Sequence, residues 1–222
     1  MDRTITVDGV GRLNIPPDLV ILYTTLETRE TKYSNAIHLA QEKEEELREA
    51  IARAGFDPED LKTASFRVEP IKDEKKDRFG TKSQVVGGFA CYHLFKLMFE
   101  FDQDRLSKVI SQITRSELKP NFSVKYSVQR ANFVKDELMR DAMANAQHKA
   151  FIFADAADCK LGKLLNVEYN WEKFSLASKT NYFMEDRTYH IAPEGQEDIP
   201  VIPEDIRLQM IISATWELVD TE

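Results

Sequence analysis

The chain has 222 residues, of which 42% are hydrophobic and 31% charged, and its formal net charge is −8. This apolar content excludes a disordered chain, and the acidic balance argues against a nucleic-acid binder, which needs basic side chains to neutralise phosphates. No stretch of 18 apolar residues occurs, so the sequence predicts no membrane-spanning helix.

Hydrophobic periodicity predicts the elements, with period-two alternation for strands and three- and four-residue apolar steps for helices. In chain order the predicted elements are strands over 4–13 and 19–31, a helix over 33–54, strands over 63–71 and 85–101, a short helix over 103–116, a strand over 120–130, a helix over 131–157, and strands over 161–171 and 206–219. Between them we expect a charged loop over 73–80 and a long loop over 174–204, which carries three prolines.

The first two strands carry local signals. Gly9 and Gly11 interrupt the first strand, which indicates a bulge or a close backbone approach. Pro16 and Pro17 separate the two strands, and this spacing predicts a hairpin.

Signals at the helix ends and in the longest strand are also specific. Gly55 follows the first helix as a stop signal, and Asp102 is placed to cap the second. At about 3.3 Å per residue the 85–101 strand would span roughly 55 Å, so we expect a bend near Gly87-Gly88. An alanine ridge that permits close approach marks the third helix: Ala142, Ala146, Ala150 and Ala154.

The order of elements, ββαββαβαββ, inserts helices singly between pairs of strands. This favours an α+β fold, in which a mainly antiparallel sheet packs against two long helices and one short helix, over a doubly wound parallel sheet. We expect residues 1–222 to form a single domain.

The sequence carries no recognisable catalytic motif. Four histidines are present: His38, His93, His148 and His190. None has HExxH or HxH spacing, and Gly9-Val10-Gly11 lacks the third glycine of a dinucleotide loop. Glu44, Glu45 and Glu46 are consecutive and point in different directions around a helix. We therefore predict no catalytic residue, no metal and no cofactor.

Two cysteines, Cys91 and Cys159, show neither CxxC nor zinc spacing. Cys91 alternates within a strand and is expected to be buried, whereas Cys159 follows a helix and is expected to be more exposed. A disulfide between them stays open, because its geometry depends on the fold. A small-molecule or redox-active protein that uses either thiol is one alternative function.

Several short motifs occur in a fixed order along the chain. They are Ile5-Thr6-Val7-Asp8-Gly9-Val10-Gly11, Pro17-Asp18, Gly55-Phe56, Asp60-Leu61-Lys62-Thr63, Glu69-Pro70, Gly88-Phe89, the alanine ridge with Leu161-Gly162-Lys163-Leu164, and Ile202-Pro203-Glu204-Asp205-Ile206. Together they cover residues 4–220 and resemble the SIMPL domain family, with Glu204 standing where the family has glycine.

The resemblance implies an α+β fold, an unresolved general function and, in some periplasmic members, a ring- or channel-like homo-oligomer. Some members are linked to defence against oxidative stress, and no catalytic set is implied. The first residues resemble no secretory leader, so we expect a cytoplasmic protein, with a periplasmic or envelope location as the alternative if a leader has been removed.

We therefore predict a non-enzymatic protein that forms a homo-oligomer, with a protein-partner adaptor as another alternative. The strands over 85–101 and 206–219 are longer than a compact domain needs, and their edges would have to be covered. The 174–204 loop carries apolar side chains that would dock on a neighbouring subunit or fold back over their own core: Tyr182, Phe183, Met184, Tyr189 and Ile191.

Overall fold

The computed structural model describes residues 3–76, 82–118, 120–169, 175–184 and 201–220. The elements are β1 (Thr4–Ile15), β2 (Leu19–Glu30), α1 (Tyr33–Arg53), a 3-10 turn (Pro58–Asp60), β3 (Lys62–Lys76), β4 (Lys82–Glu100), α2 (Gln103–Arg115), β5 (Asn121–Ser127), α3 (Ala131–Ala156), β6 (Cys159–Tyr169), β7 (Ala177–Met184) and β8 (Ile206–Asp220). The predicted α+β fold with mainly antiparallel pairing is confirmed.

The strands form two sheets, with the orders β1-β8-β6 and β3-β4-β2-β5-β7. The chain divides into two compact units. Unit 1 comprises Met1–Pro17, Ser127–Lys179 and Pro203–Glu222, and unit 2 comprises Asp18–Tyr126 and Thr180–Ile202.

The predicted hairpin between the first two strands is wrong. β1 pairs with β8 over its whole length, from Thr4 opposite Glu217 to Ile15 opposite Ile206, whereas β2 pairs with β4. The two prolines end one unit, because the boundary falls between Pro17 and Asp18. Local turn signals cannot reveal this, since the partner of β1 lies some 200 residues away in the sequence.

Unit 1 is a three-stranded sheet with α3 packed against one face. Both glycines of β1 lie under this helix, and a Cβ added at Gly9 would lie 2.1 Å from the Ala142 carbonyl oxygen. A Cβ at Gly11 would lie 2.3 Å from the Leu138 carbonyl oxygen. Of the two predicted alternatives, a bulge or a close backbone approach, the close approach is therefore confirmed, and the buried alanines of α3 form its other side.

Polar side chains of α3 also bind the free edge of β1. Asn145 Oδ1 accepts a hydrogen bond from the Val10 amide at 2.9 Å, and Asp141 Oδ2 accepts one from the Arg12 amide at 2.8 Å. Lys149 Nζ donates to the Asp8 carbonyl at 2.7 Å. These side chains are four residues apart on α3, and their partners are two residues apart on β1. Four helical residues rise about 6 Å and two strand residues about 6.6 Å, so each side chain lies opposite its partner. The helix thus covers an edge that would otherwise be unpaired.

Unit 2 has the order β2-α1-β3-β4-α2-β5, the split βαβ arrangement. Its core contains large aliphatic and aromatic side chains from both helices and the sheet, including Leu22, Leu47, Ile51, Phe95, Leu106 and Ile113. The predicted helix stop and cap are confirmed: Gly55 has φ +92°, and Asp102 Oδ1 accepts a hydrogen bond from the Arg105 amide at 2.9 Å.

The hairpin of β3 and β4 is longer than predicted. Asp73 to Lys76, expected in a charged loop, pair with β4, and the rest of that loop, 77–80, lies outside the described residues. The register shifts where Ile71 faces Gly88 and Lys72 faces Val86. This irregularity lies at the predicted position of the bend.

The 174–204 segment is not wholly a loop, because it contains β7. Tyr182 and Met184 pack against the core of unit 2, whereas Phe183 between them is exposed. These two side chains therefore fold back over their own core. The other loop residues named above, Tyr189 and Ile191, lie outside the described residues, as does Trp171.

Candidate functional site

His93 is one of the buried titratable side chains of unit 2. It lies on β4 beneath α1 and is 5% exposed. Its Nε2 lies 2.9 Å from Thr63 Oγ1, and its ring lies against Phe95, with 3.8 Å between ring centroids, and edge-on to Phe66. Its Nδ1 has no hydrogen-bond partner. Among the described buried side chains, the same is true of Thr24 Oγ1 and the Tyr126 hydroxyl.

An acid and a base lie next to this ring. Glu44 Oε2 lies 3.7 Å from His93 Nδ1, which is too far for a hydrogen bond. Glu44 Oε1 accepts two hydrogen bonds from Arg48, from Nε at 3.0 Å and from Nη2 at 2.7 Å. Arg48 Nη1 donates in turn to the carbonyls of Pro58 and Leu61. Both charged side chains are therefore tied to each other and to the backbone before β3.

A β-bulge explains why β3 contacts the histidine twice. Thr63 pairs with Phe95 and Ser65 with Leu94, so Ala64 is the extra residue. In a regular strand Thr63 and Phe66 would point to opposite faces, because they are three residues apart and side chains alternate. The bulge therefore turns both side chains toward His93.

The protonation of His93 follows from its burial. Burial lowers the pKa of His93 below its ordinary value of 6.5; Glu44 opposes this change and Arg48 adds to it. At neutral pH the ring is therefore uncharged. It could exchange a proton with water only if the residues around it move.

Unit 1 carries the second notable feature, which is a set of exposed apolar side chains on α3 and β6. Phe151, Ile152 and Phe153 occupy three successive positions of α3, so at about 100° per residue they surround the helix rather than form one face. On β6, the exposed apolar side chains are Leu164, Leu165 and Tyr169. We call these six residues the α3–β6 apolar surface.

The edge position of β6 adds to this. Among the residues that the structure describes, β6 pairs with β8 alone and lies at the edge of its sheet. Two register shifts, between Leu161 and Leu164 and between Leu164 and Asn166, fall on either side of Leu164. An edge strand with exposed leucines is a surface on which other chains pack.

The residues singled out from the sequence do not converge. Cys91 is 1% exposed, as expected, and Cys159 is partly exposed, with Sγ 3.4 Å from the Ala157 carbonyl. Neither forms a disulfide. His38 is exposed beside Glu42, at 3.7 Å, and His148 is exposed on α3; His190 lies outside the described residues.

Sequence reasoning missed the partners of His93. The sequence showed Glu44 only as one of three consecutive glutamates that point in different directions and Thr63 only as part of a family motif, and Arg48 carried no signal. The alternation of 85–101 did place His93 among inward-facing residues. A charged pair at positions i and i+4 of the neighbouring helix could not be assigned to it without the tertiary structure.

Across the described ranges, no group of three or more His, Cys, Asp or Glu side chains could hold a metal ion. In the same part of the chain, no helix is both long and apolar enough to cross a membrane.

Comparison with known proteins places these features in a family. The family SIMPL, described as a protein of unknown function (DUF541), matches residues 5–216. The chain belongs to the SIMPL family. In this family the chain is similar to the 26 kDa periplasmic immunogenic proteins of Brucella melitensis biotype 1 and Brucella abortus strain S19, at 22% identity over 163 residues.

Those matches cover 73% of this chain and 65% of each Brucella protein, so the chain spans just under two thirds of their length. A further relative is the uncharacterized protein YggE of Edwardsiella ictaluri, which is 21% identical over 193 residues, or 87% of this chain and 76% of that protein.

The SIMPL motifs described above have structural roles here. The glycines of the opening motif allow α3 to approach β1, and the alanine ridge forms the facing surface. Gly55 ends α1. These motifs therefore maintain the packing, whereas the motif Asp60-Leu61-Lys62-Thr63 contributes Thr63 to the surroundings of His93.

Proposed function

We propose that this protein is a non-enzymatic SIMPL protein that assembles with copies of itself through β6 and the α3–β6 apolar surface. The observation that carries the proposal is the exposure of Leu164, Leu165 and Tyr169 on the edge strand β6, together with three exposed apolar side chains on α3 of the same unit. Isolated exposed apolar residues are normal on a protein, but a set of this kind is typical of an interface.

A second copy is the occupant because β6 is complementary to itself. Lys160 and Glu168 lie four residues on either side of Leu164. In an antiparallel, two-fold pairing centred on Leu164, each Lys160 would face Glu168 of the other copy, and opposite charges at such positions stabilise a sheet. The two irregularities of β6 also flank this centre.

The experiment is size-exclusion chromatography with light scattering, which gives the mass in solution. We expect a multiple of 25.6 kDa. Leu165→Glu should reduce the mass toward the monomer, because it buries a charge in the interface. Met98→Glu is the matched control: Met98, at 45% exposed against 55% for Leu165, lies on β4 and should leave the mass unchanged.

Charge reversal tests the register separately. Glu168→Lys should weaken assembly, and adding Lys160→Glu should restore it, because the pair is then exchanged rather than lost. A wild-type protein that is a monomer at all concentrations would overturn the proposal. A monomer that binds a different protein through the same leucines would instead support the adaptor alternative.

We propose that the protein is not an enzyme because solvent has little access to the most enclosed of its described histidines. His93 has the most altered surroundings among the described histidines, but Thr63, Phe66 and α1 separate it from solvent. For the redox and oxidative-stress alternative, burial of Cys91 leaves Cys159 as the thiol that would react. Peroxide consumption that disappears in Cys159→Ser would favour this alternative.

The location proposed for this chain follows its relatives. The two Brucella proteins are named as periplasmic, which supports the periplasmic alternative over the cytoplasmic one. Fractionation of cells that express the natural gene, with antibody detection, would distinguish the two compartments.

A further inference from the structure

The contacts around His93 form a ring of residues in which every link but one is made. From the Leu61 carbonyl the ring runs through Arg48 to Glu44, then to His93, then to Thr63, which returns to Leu61 through Lys62. Each link is a hydrogen bond or the chain itself, apart from the 3.7 Å between His93 Nδ1 and Glu44 Oε2. The one unmade link therefore lies at the one side chain in the ring whose ordinary pKa is near neutral pH.

The charged side chains that face His93 are Glu44 and Arg48 of α1, which neutralise each other. The inner-face neighbours of His93 on β4 are Cys91 and Phe95, and its pairing partner on β2 is Leu26. On β3 the contacts are Thr63 and Phe66, both uncharged.

A proton added to His93 would place a net positive charge in this enclosed position. Glu44 attracts it, but one of its oxygens is already bound twice by Arg48, and Arg48 itself repels it. Two aromatic rings replace water on the remaining sides. A buried cation without sufficient compensation favours any conformation in which it reaches water.

The part of unit 2 that could be released is β3. It is an edge strand, and from Lys62 to Glu74 its side chains are exposed except for Val68 and Ile71, which are partly buried. It is held by backbone pairing with β4 and, at its start, by Thr63 and by Arg48 on Leu61. Such segments open at low free energy.

We propose that His93 is a proton-operated latch for the edge strand β3. Neutral His93 holds the start of the strand through Thr63. Protonated His93 releases it, so that the ring reaches water and the backbone edge of β4 that β3 now covers becomes available. This device goes beyond the proposed self-assembly and does not depend on it.

Hydrogen exchange with mass spectrometry on the full chain, at pH 7.5 and pH 5.5, tests the latch. After correction for the intrinsic exchange rates, amide protection in peptides that cover 62–71 should fall on acidification. One proton can change the opening equilibrium by at most about tenfold per pH unit. In His93→Gln, which keeps a hydrogen-bonding side chain but cannot titrate, the protection should not depend on pH.

His38→Gln is the matched control. His38 also lies 3.7 Å from a glutamate, Glu42, but both side chains are exposed. This variant should respond to pH like the unaltered protein. Equal protection at the two pH values in the unaltered protein, or an unchanged response in His93→Gln, would overturn the latch.

A second measurement decides the matter if His93→Gln does not fold. In the unaltered protein, NMR of the His93 ring and of the β3 amides should give one common titration midpoint. In Thr63→Val, which removes the link to the strand, β3 should exchange fast at both pH values. A ring that titrates while the β3 amides do not change would overturn the proposal.

Discussion

Both units pack helix against antiparallel sheet, but the distance between the helix backbone and the sheet differs between them. In unit 1, glycines of β1 face alanines of α3, so the backbone of the helix nearly touches the strand. In unit 2, leucine, isoleucine and phenylalanine side chains fill the space between α1, α2 and the sheet. Interiors pack to the same density in both arrangements, with backbone atoms in one and large side chains in the other.

This difference teaches which substitutions each unit tolerates. Where backbones are in contact, added volume has nowhere to go, and the helix must move away from the sheet. Where large side chains interdigitate, lost volume leaves a cavity. Unit 1 should therefore be more sensitive to enlargement and unit 2 to truncation.

The largest effect is expected for Gly9→Val. A Cβ at this position would lie 2.1 Å from the Ala142 carbonyl oxygen, so the free energy of unfolding of unit 1 should fall by about 4 kcal/mol or more. Urea denaturation followed by the fluorescence of Trp216, which is buried in the unit 1 core, measures it. Gly55→Ala is the control, because its Cβ meets nothing within 4 Å and only its positive φ is unfavourable, by about 1 kcal/mol. Equal losses in the two variants would contradict the comparison.

Truncation should produce the next effect, in unit 2. Leu47→Ala removes a side chain that is fully buried under the sheet, and we expect a loss of about 3 kcal/mol. Hydrogen exchange of α1 and β2 amides measures it. The converse change, Ala146→Leu, should destabilise unit 1 by about 2 kcal/mol through overpacking. If Ala146→Leu left the free energy of unfolding of unit 1 unchanged, close packing would not be the reason for alanine at this position.

A smaller effect is expected where α3 binds the edge of β1. Asn145→Ala removes the acceptor of the Val10 amide and should cost about 1 kcal/mol. The Val10 amide should then exchange faster in NMR, while the amides of unit 2 stay as they were. Gln147→Ala, an exposed change on the same helix, should leave the Val10 amide unaffected.

An effect of similar size is expected in unit 2, as a dependence of its stability on pH. Because burial lowers the pKa of His93, the unfolded chain binds more protons than the folded chain between the folded value and 6.5. The contribution of His93 is therefore fully present above pH 6.5 and is lost as the pH falls toward the folded value. The slope cannot exceed about 1.4 kcal/mol per pH unit for one proton. Urea denaturation at pH 7.5 and 5.5 should show this loss in the unaltered protein but not in His93→Gln.

The element types, and most of their bounds, could be predicted from local signals. Alternation in 85–101, the glycine after α1 and the Asp102 cap each act within a few residues, so the sequence alone identifies them. The same holds for Gly9 and Gly11, whose close approach was predicted although the facing helix was not known. The sequence did not predict β7, because polar residues flank it and three prolines follow it, which suggests a loop.

Pairing and the candidate site depended on contacts between residues distant in sequence. Two prolines predict a turn, but they cannot show that the next strand joins another sheet, because the alternative partner of β1 lies near the other end of the chain. His93 is set among Glu44, Arg48 and Thr63 only after α1 packs on β4 and a bulge turns Thr63 inward. The sequence by itself thus determined the periodicity, the caps, and the glycines and alanines that allow close approach, since these follow from local backbone geometry. Sheet partners, the bulge and the environment of the histidine were decided by the tertiary structure, since they arise only when distant segments meet.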